Sequence, residues 1–385
     1  MKATLVVKSR FQFFHLARQL EKKGLLEKLY TGYPKFKIKD EKGIPEDKIK
    51  TYPWFIVPYM KRGLLGLDKF NQLNKDWQWL TSQTLDKHVA GKIDKKGILI
   101  SMSSIGLYAG KKMQSLGGSF ICQRGSTHIV YQDEILEEEY KRWGFEWKGV
   151  DKRIIEKELL EYECADRVTV PSEFARQSFI EKGVSESKIV KISYGARLDR
   201  FKKIGEPAKN KFVVLWVGAL SLRKGFMYAL EAFEKLQYPN KEFIVIGSVS
   251  EEIKKLLASK RIDSSVHFKG TVPNTELINY YNSADVFILP SIEDGFGIVL
   301  SEALASGCPI IATPNTGSVD LIKNGQEGFI VPIRNADAIV ESFQKFIDTP
   351  GMRNEMSELA LKRVQSIGGW DDFGDNFEIL LKSLV

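Results

Sequence analysis

Residues 290–312 combine acidic side chains, glycines and the start of a predicted helix in one continuous stretch. A predicted strand ends at Pro290, an acidic turn follows, and a helix opens near Ile298. Gly295 and Gly297 let a ligand approach the backbone closely, and the amides at the helix start offer donors to an anion. Carboxylates beside an anion site suit the binding of hydroxyl groups, as a sugar or a ribose supplies. The alternative is a capped surface helix with incidental acids.

Two acidic positions in this stretch are spaced to face one ligand. Asp294 and Glu302 are eight residues apart, about two helical turns, which directs both towards the same cleft. Glu293 stands immediately before Asp294, so either carboxylate is a candidate for the contact nearer the turn. Acceptance of hydrogen bonds from hydroxyl groups is the chemistry that this spacing favours.

A second cluster places two cations after a predicted strand. Residues 213–217 are apolar, Gly218 follows them, and Arg223 and Lys224 stand side by side before Gly225. Arginine binds a pyrophosphate bidentately and lysine acts as a point charge, so the pair suits a diphosphate. An isolated Arg-Lys pair is usually only solvated, but its position after a strand and a glycine favours the functional interpretation.

The elements that must position these residues alternate between strand and helix, as in α/β proteins with parallel sheets. Strands are predicted at residues 3–8, 97–102, 119–123, 167–171, 212–218, 242–247, 265–269, 286–290, 309–313 and 328–331. Helices are predicted at residues 13–23, 156–165, 225–236, 275–284 and 298–306. The hydrophilic stretch 202–211 has the composition of an interdomain linker. Two doubly wound halves predict a cleft between similar domains, with ligands at the carboxyl ends of the strands.

The stretch 290–312 resembles the glycosyltransferase family 4 enzymes of the GT-B fold, whose signature is E-x7-E followed by a small-residue helix, Gly-x-Pro and a strand. Asp294 and Glu302 stand at the two signature acids, the first being one methylene shorter than the family's glutamate. The resemblance implies an α/β, GT-B architecture of two Rossmann-like doubly wound domains facing a cleft, with the C-terminal helix crossing back to the first domain.

The resemblance also implies how the chain is divided. An N-terminal, acceptor-side domain is expected over residues 1–200 together with the C-terminal helix at 370–385. A C-terminal domain that binds the nucleotide-sugar donor is expected over residues 201–369. The hinge at 194–199 is Tyr-Gly-Ala-Arg-Leu-Asp where the family usually has Asn-Gly-Val-Asp, so its contact must be made differently.

The resemblance implies a retaining transfer from a nucleotide-diphospho-sugar, with a UDP-sugar favoured over a GDP-sugar, and with no other cofactor and no bound metal. Glu302 is expected to hydrogen-bond the nucleotide ribose, and Arg223 and Lys224 to neutralise the leaving diphosphate. The residues expected to bind the donor are Arg10, Gly218, Arg223, Lys224, Val272, Glu293, Asp294, Gly295, Phe296, Gly297, Ile298, Val299 and Glu302. The residues expected at the reacting centre are His128, Arg223, Lys224 and Asp294.

The first domain departs further from the family. Residues 9–15 replace the glycine-rich loop that many members have after the first strand, and Arg10 there is a candidate phosphate ligand or a merely exposed base. His128 falls in a loop after a predicted strand, where the family commonly keeps a histidine near the acceptor. A catalytic or acceptor-positioning role for His128 is therefore expected from the resemblance.

Basic residues are concentrated near the start of the chain. The net charge of the 385 residues is +8, and residues 1–100 hold 21 Lys and Arg against 10 Asp and Glu. Aromatic residues lie among these bases between residues 52 and 79, a combination that suits an anionic membrane interface. A lipid or lipid-linked acceptor is thus the leading hypothesis, with aromatic core residues as the alternative explanation and soluble saccharide chains as the alternative acceptor.

Other features limit the remaining possibilities. No apolar run reaches the roughly 18 residues of a membrane-spanning helix, and Cys122, Cys164 and Cys308 are too far apart to indicate a disulfide framework or a zinc site. A cytoplasmic protein, peripheral on the inner membrane face, is expected. No stacking platform or groove helix indicates nucleic-acid binding. A sugar-nucleotide epimerase or a phosphorylase of the same fold is the rival enzyme class.

Overall fold

The computed structural model describes residues 1–195 and 200–384, which fold around two parallel β-sheets. Residues 196–199 of the hinge stretch lie outside the described residues. None of the described helices combines the length and the hydropathy needed to cross a membrane.

The first sheet has seven strands within the described residues. They are β1 (Ala3–Val7), β2 (Leu26–Thr31), β3 (Ile49–Thr51), β4 (Ile98–Met102), β5 (Ser119–Gln123), β6 (Arg167–Val170) and β7 (Ile189–Lys191). The accompanying helices are α1 (Phe11–Lys22), α2 (Ile56–Met60), α3 (Asn71–Ala90), α4 (Leu107–Ser115), α5 (Ile129–Arg142), α6 (Lys152–Cys164) and α7 (Glu173–Glu181). The strands run parallel in the order β3-β2-β1-β4-β5-β6-β7, and helices on both faces account for the continuous apolar runs of β1 and β4.

The second sheet has six strands in the described part of the chain. They are β8 (Phe212–Val217), β9 (Lys241–Ile246), β10 (Val266–Gly270), β11 (Val286–Leu289), β12 (Ile310–Ala312) and β13 (Gly328–Ile330), in the order β10-β9-β8-β11-β12-β13. The helices are α8 (Phe226–Lys235), α9 (Glu251–Ala258), α10 (Leu277–Ser283), α11 (Ile298–Ala305), α12 (Ser318–Leu321), α13 (Ala336–Asp348), α14 (Met352–Ile367) and α15 (Trp370–Lys382).

The strand order reverses once in each sheet, between β1 and β4 and between β8 and β11. Connections from the two central strands lead to opposite sides of the sheet at such a point, which leaves a crevice at the carboxyl ends. The loop after β1 leads to Arg10, and the loops after β8 and β11 carry residues 218–225 and 290–297. The fold therefore places Arg10 and the predicted site residues of these two loops at the two switch points.

The last helix, α15, returns to the first domain and packs against α1. Lys22 Nζ lies 3.0 Å from Asp371 Oδ1, and Lys23 Nζ lies 2.8 Å from Glu378 Oε2. A Cβ atom on Gly374 would lie 2.5 Å from Cβ of Gln19, so α15 approaches α1 closely at this glycine. The predicted crossing helix is present.

All ten predicted strands are present, with ends within one residue of the prediction. Three further strands in the described residues, β2, β3 and β7, were not predicted from the sequence, and all lie on the outer parts of the first sheet. The predicted GT-B class of two doubly wound sheets is confirmed.

Candidate active site

Two loops of the second domain are brought together where β8 and β11 lie side by side. Gly225 has φ 72°, and a Cβ atom there would lie 1.9 Å from the carbonyl oxygen of Pro290, so a larger residue would separate the loops. The N–H of Ile292 donates to the carbonyl oxygen of Arg223 at 2.9 Å. This backbone contact holds the two predicted cations beside the two predicted acids.

Lys224 and Asp294 form an ion pair in a small cavity between the domains. Lys224 Nζ contacts Asp294 Oδ2. The cavity has a volume of about 220 Å³ and is lined from the second domain by Trp216, Val217, Gly218, Lys224, Leu289, Asp294, Phe296, Gly297, Ile298 and Val299. Gly125 and Tyr194 of the first domain close its other side. The structure thus gathers seven of the predicted donor-binding residues, including the start of α11, around one space.

Glu293 has a different environment from its neighbour. Its side chain is fully buried and accepts hydrogen bonds from three residues of the first domain. Ser126 Oγ donates to Oε1 at 2.6 Å, Thr127 Oγ1 donates to Oε1 at 2.8 Å, and Gln132 Nε2 donates to Oε2 at 2.9 Å. Arg223 Nε donates to Oε2 at 2.7 Å. We call these five residues the interdomain clasp.

The electrostatics of the clasp favour its charged form. Burial acts to raise the pKa of Glu293, but the charge of Arg223 and the hydrogen bonds from the first domain lower it to about 2. Burial acts to lower the pKa of Arg223, but the charges of Glu293 and Asp294 and the hydrogen bond to Glu293 together raise it. Arg223 Nη2 also donates to Ser126 Oγ at 3.3 Å. The guanidinium of Arg223 is therefore directed to the domain contact, while Lys224 supplies the cation lining the cavity.

Gly295 lies where the two domains approach most closely in this loop. A Cβ atom there would lie 2.2 Å from the carbonyl oxygen of Gly125 and 2.5 Å from Cα of Ser126. Ser172 Oγ donates to the carbonyl oxygen of Gly295 at 2.6 Å. The space beside this predicted donor-binding glycine is thus occupied by the backbone of the first domain.

A larger cavity of about 890 Å³ continues along the cleft, and Ile298 lines both cavities. Glu302 on α11 lies on its wall, where Tyr281 Oη donates to Glu302 Oε2 at 3.2 Å. Asn274, in the loop after β10, lines the same space. The predicted ribose ligand and the predicted diphosphate site therefore share one continuous cleft.

The first domain supplies the opposite wall of this larger cavity through α1 and the segment before β3. Arg10 and Arg18 both form ion pairs with the buried carboxylate of Glu41. The ring of His15 stacks on Trp370 with centroids 3.9 Å apart, which joins α15 to this wall. Arg10 is thus on the cleft, facing Glu302 across the domains, with its guanidinium bound to Glu41.

His128 is placed away from these cavities by its structural contacts. It is 2% exposed, its Nδ1 accepts the N–H of Val130 at the start of α5, and its ring packs against Tyr162 and Phe179. Burial, together with the charge of Arg124, lowers the pKa of His128 to about 4, so the imidazole is neutral at pH 7. The geometry is that of a buried helix cap, and the catalytic role expected for His128 stays a prediction.

Val272 is the predicted donor contact that lies farthest from the others along the sheet. It follows β10 at the sheet edge, is half-buried and packs against the hydrophobic core. From the same loop, Asn274 is the residue that lines the larger cavity. Among residues 1–195 and 200–384, no three His, Cys, Asp or Glu side chains converge in a group suited to a metal ion.

Several residues on the cleft were not identified from the sequence. The hydroxyl groups of Ser126 and Thr127 had a local signal, since they adjoin His128 in a strand-end loop. No local sequence signal indicates that Arg18 pairs with Glu41 or that Trp370 stacks on His15. The fold brings these residues together from separate segments.

Comparison with known proteins matches the second domain to one family model. Residues 199–363 match the model of the family described as glycosyl transferases group 1. The capsular polysaccharide biosynthesis glycosyltransferase CapM of Staphylococcus aureus is 28% identical over 246 residues, which is 57% of this chain and 63% of CapM. The chain spans between 47% and 63% of the first three curated relatives. The second domain is therefore similar to the glycosyl transferases of group 1.

Solved structures resemble the whole chain. Sucrose-phosphate synthase from Thermosynechococcus elongatus has a TM-score of 0.74 at 18% identity and covers 100% of this chain and 99% of its own. Anabaena HepE in complex with UDP and glucose has a TM-score of 0.70 at 15% identity and covers 100% of both chains. The chain has the GT-B fold.

Proposed function

We propose that this chain is a retaining glycosyltransferase that moves a hexose-type sugar from a nucleotide-diphospho-sugar to a hydroxyl group of an acceptor. The observation that carries the proposal is the Lys224–Asp294 pair, which faces the first domain at the switch point between β8 and β11. A cation and the N-terminus of α11 at this point suit a diphosphate, and Asp294 suits a sugar hydroxyl.

The chemical problem is the charge that develops on the leaving group. The bond between the anomeric carbon and the diphosphate oxygen breaks, the acceptor oxygen bonds to the same carbon, and the hydroxyl proton leaves with the nucleoside diphosphate. Lys224 is placed to neutralise the diphosphate as it departs, because it lines the cavity beside Gly297 and Ile298. Fixed donors of this kind need no reorganisation during the reaction, and we propose that transfer needs no resident metal.

The nucleoside is proposed to lie in the larger cavity. Glu302 offers carboxylate oxygens to the ribose hydroxyls there, and Asn274 lies beside it. UDP is favoured over GDP, a preference supported by the UDP that HepE binds in the related fold. Phe296, Gly297, Ile298 and Val299 line the smaller cavity, and Ile298 also lines the larger one.

The acceptor is proposed to enter from the first domain. A lipid or lipid-linked acceptor at the inner face of a membrane is favoured by the excess of 21 basic over 10 acidic residues in residues 1–100. A saccharide chain is the second candidate, favoured by CapM, whose name refers to capsular polysaccharide. The protein is proposed to act in the cytoplasm.

A thermal-shift screen with UDP-, GDP- and ADP-sugars tests the donor site, because a ligand that binds only the native state raises its melting temperature. We expect a rise with UDP-sugars that Lys224→Ala greatly reduces and that the surface variant Lys254→Ala retains. No rise with any nucleotide sugar would contradict the proposal. Conversion of the donor sugar to its epimer without an acceptor would indicate an epimerase instead of a glycosyltransferase.

A further inference from the structure

One segment of the first domain exposes large apolar side chains although it is anchored to the domain. Trp54 is 74% exposed, Leu64 is 83% exposed and Phe70 is 60% exposed. Six exposed apolar side chains fall within residues 54–80, and we call them the apolar ledge: Trp54, Met60, Leu64, Phe70, Leu73 and Leu80. Clusters of exposed apolar residues of this kind mark contact sites.

The ledge is held in place by other aromatic and apolar side chains of the same segment. Ile56 packs directly against Gly32, where a Cβ atom would lie 1.9 Å from Ile56 Cδ1. Trp77 Nε1 donates to the carbonyl oxygen of Phe55 at 3.1 Å, and Tyr52 stacks on His88 with centroids 4.3 Å apart. The inward contacts are therefore already made, and the ledge residues are left facing outwards.

Helix α3 shows the same division along its length. Its fully buried residues begin at Thr81 and continue to Val89, whereas the residues before Thr81 are half-buried or exposed. Leu73 and Leu80, both exposed, lie seven residues apart and hence on one face of this half. The exposed apolar face on the N-terminal half of α3 is suited to a partner that covers it.

The charges around the ledge identify that partner. Residues 54–80 contain four basic and two acidic residues. Lys61 and Lys69 are exposed, whereas Asp76, one of the acids, is paired with Arg153 at 2.6 Å. Phe36, 58% exposed, lies between Lys35 and Lys37 in the neighbouring loop. Two copies of a basic face repel each other, whereas anionic lipids attract it and accept apolar side chains.

The ledge also lies at the end of the sheet that forms the cleft. Strands β2 and β3 are parallel neighbours, and the loops that carry Phe36 and Trp54 leave their carboxyl ends. The carboxyl end of β1, which leads to Arg10 on the cleft wall, lies beside that of β2. A surface bound to the ledge is thus next to the acceptor side of the cleft.

We propose that the apolar ledge seats the first domain on an anionic membrane, with Trp54, Leu64 and Phe70 inserted between lipids and Lys61 and Lys69 on the headgroups. The purpose we infer for the ledge, delivery of a lipid acceptor to the cleft, rests on the proposed function. Membrane binding by the ledge does not rest on it, because this binding requires no nucleotide-sugar donor.

Cosedimentation of the full chain with vesicles tests the ledge, using phosphatidylcholine alone and phosphatidylcholine mixed with phosphatidylglycerol. We expect binding to the mixed vesicles that weakens with salt. Lys61→Gln/Lys69→Gln is expected to weaken it by about thirtyfold, since each basic residue near an anionic surface makes a comparable contribution. Trp54→Ser/Leu64→Ser is expected to weaken it by at least about tenfold. The matched controls Lys254→Gln/Lys255→Gln and Ile379→Ser/Leu359→Ser, on other surfaces, should bind as the unchanged chain does.

Three results would overturn the ledge proposal. The first is no binding to mixed vesicles at low salt, and the second is binding to mixed vesicles that the two ledge variants leave unchanged. The third is a dimer in sedimentation velocity that Trp54→Ser/Leu64→Ser dissociates, which would assign the ledge to a second copy. The rise in melting temperature that UDP-sugars cause in the ledge variants separates the two proposals. A variant that keeps this rise but loses vesicle binding supports both. If neither the variants nor the unchanged chain show the rise, only the donor assignment is removed.

Discussion

Glu293 and Asp294 are consecutive residues whose carboxylates face different partners. Glu293 accepts the hydroxyl groups of Ser126 and Thr127 in the first domain, whereas Asp294 pairs with Lys224 inside the cavity. Because the oxygens of Glu293 are already engaged by the clasp, Asp294 is the acid better placed to meet the donor sugar.

Replacing Lys224 tests the leaving-group role directly. We expect Lys224→Ala to lower kcat by about a hundredfold to a thousandfold, as for the loss of a donor that stabilises transition-state charge. The measurement is steady-state transfer from the donor found by thermal shift. Lys211 is the matched control, because it lies away from the cleft and its Nζ pairs with Glu242 Oε1 at 2.6 Å. Lys211→Ala should retain full activity. A near-normal rate in a Lys224→Ala/Arg223→Ala double variant would refute the leaving-group role proposed for Lys224. It would also refute the role at the diphosphate that the resemblance implies for Arg223.

Replacing Glu293 tests the interdomain clasp. Its pKa is lowered from 4.5 to about 2, so the charged form stabilises the fold fully above pH 4.5, and this contribution disappears as the pH falls through 2. We expect Glu293→Gln to lower the free energy of unfolding at pH 7 by about 3 kcal/mol. The difference from the unchanged chain should shrink as the pH is lowered from 4.5 towards 2.

Chemical denaturation at a series of pH values measures this difference. Glu242→Gln removes a carboxylate from a partly exposed ion pair and should cost under about 1 kcal/mol. If Glu293→Gln costs no more than this control, the clasp does not hold the domains together.

Much of the fold was predictable because its central strands are buried on both faces. The apolar runs of β1, β4, β8 and β11 distinguish them from the helices between them. Strand β2 was missed because Glu27 and Lys28 interrupt its apolar residues, and Glu27 is paired with Lys95 rather than buried in the core. Strands β3 and β7 lie at the sheet edges and each carries a lysine, so they lack the apolar run that marks the equally short β12.

The candidate site was predictable where its residues share a loop. Asp294, Gly297 and Glu302 lie in one strand-loop-helix unit, so their spacing carried the information. The contact between Ser126 and Glu293 joins residues 167 positions apart, and no local pattern specifies it. Likewise, sequence periodicity does not indicate that Trp54 is 74% exposed.

Adding a methyl group at Gly295 tests the close approach of the domains. Its Cβ atom would lie 2.2 Å from a backbone oxygen of Gly125, which has no side-chain freedom to move away. We expect Gly295→Ala to increase the radius of gyration in small-angle X-ray scattering and to lower activity, while each domain stays folded. Gly205→Ala, whose Cβ would lie 3.9 Å from its nearest neighbour, is the matched control. An unchanged scattering profile would show that the domains do not depend on this contact.

Chelation tests the proposal that transfer needs no resident metal. The charge on the leaving diphosphate is assigned to Lys224 and the start of α11, so we expect activity to persist in EDTA. Turnover should be followed after dialysis against the chelator, with and without added magnesium or manganese. Activity that is lost and then restored by either ion would assign part of the diphosphate charge to a metal.

Substitutions at His128 distinguish a helix-capping role for this residue from a catalytic role. Asparagine also caps a helix, so we expect His128→Asn to retain activity and stability, while His128→Ala should lose about 1 kcal/mol of stability with the cap. Because the pKa of His128 is lowered to about 4 by burial, its titration should leave no inflection between pH 6 and 7 in the profile of kcat. Loss of transfer in a fully folded His128→Asn variant, with donor binding retained, would establish the catalytic role expected from the family resemblance.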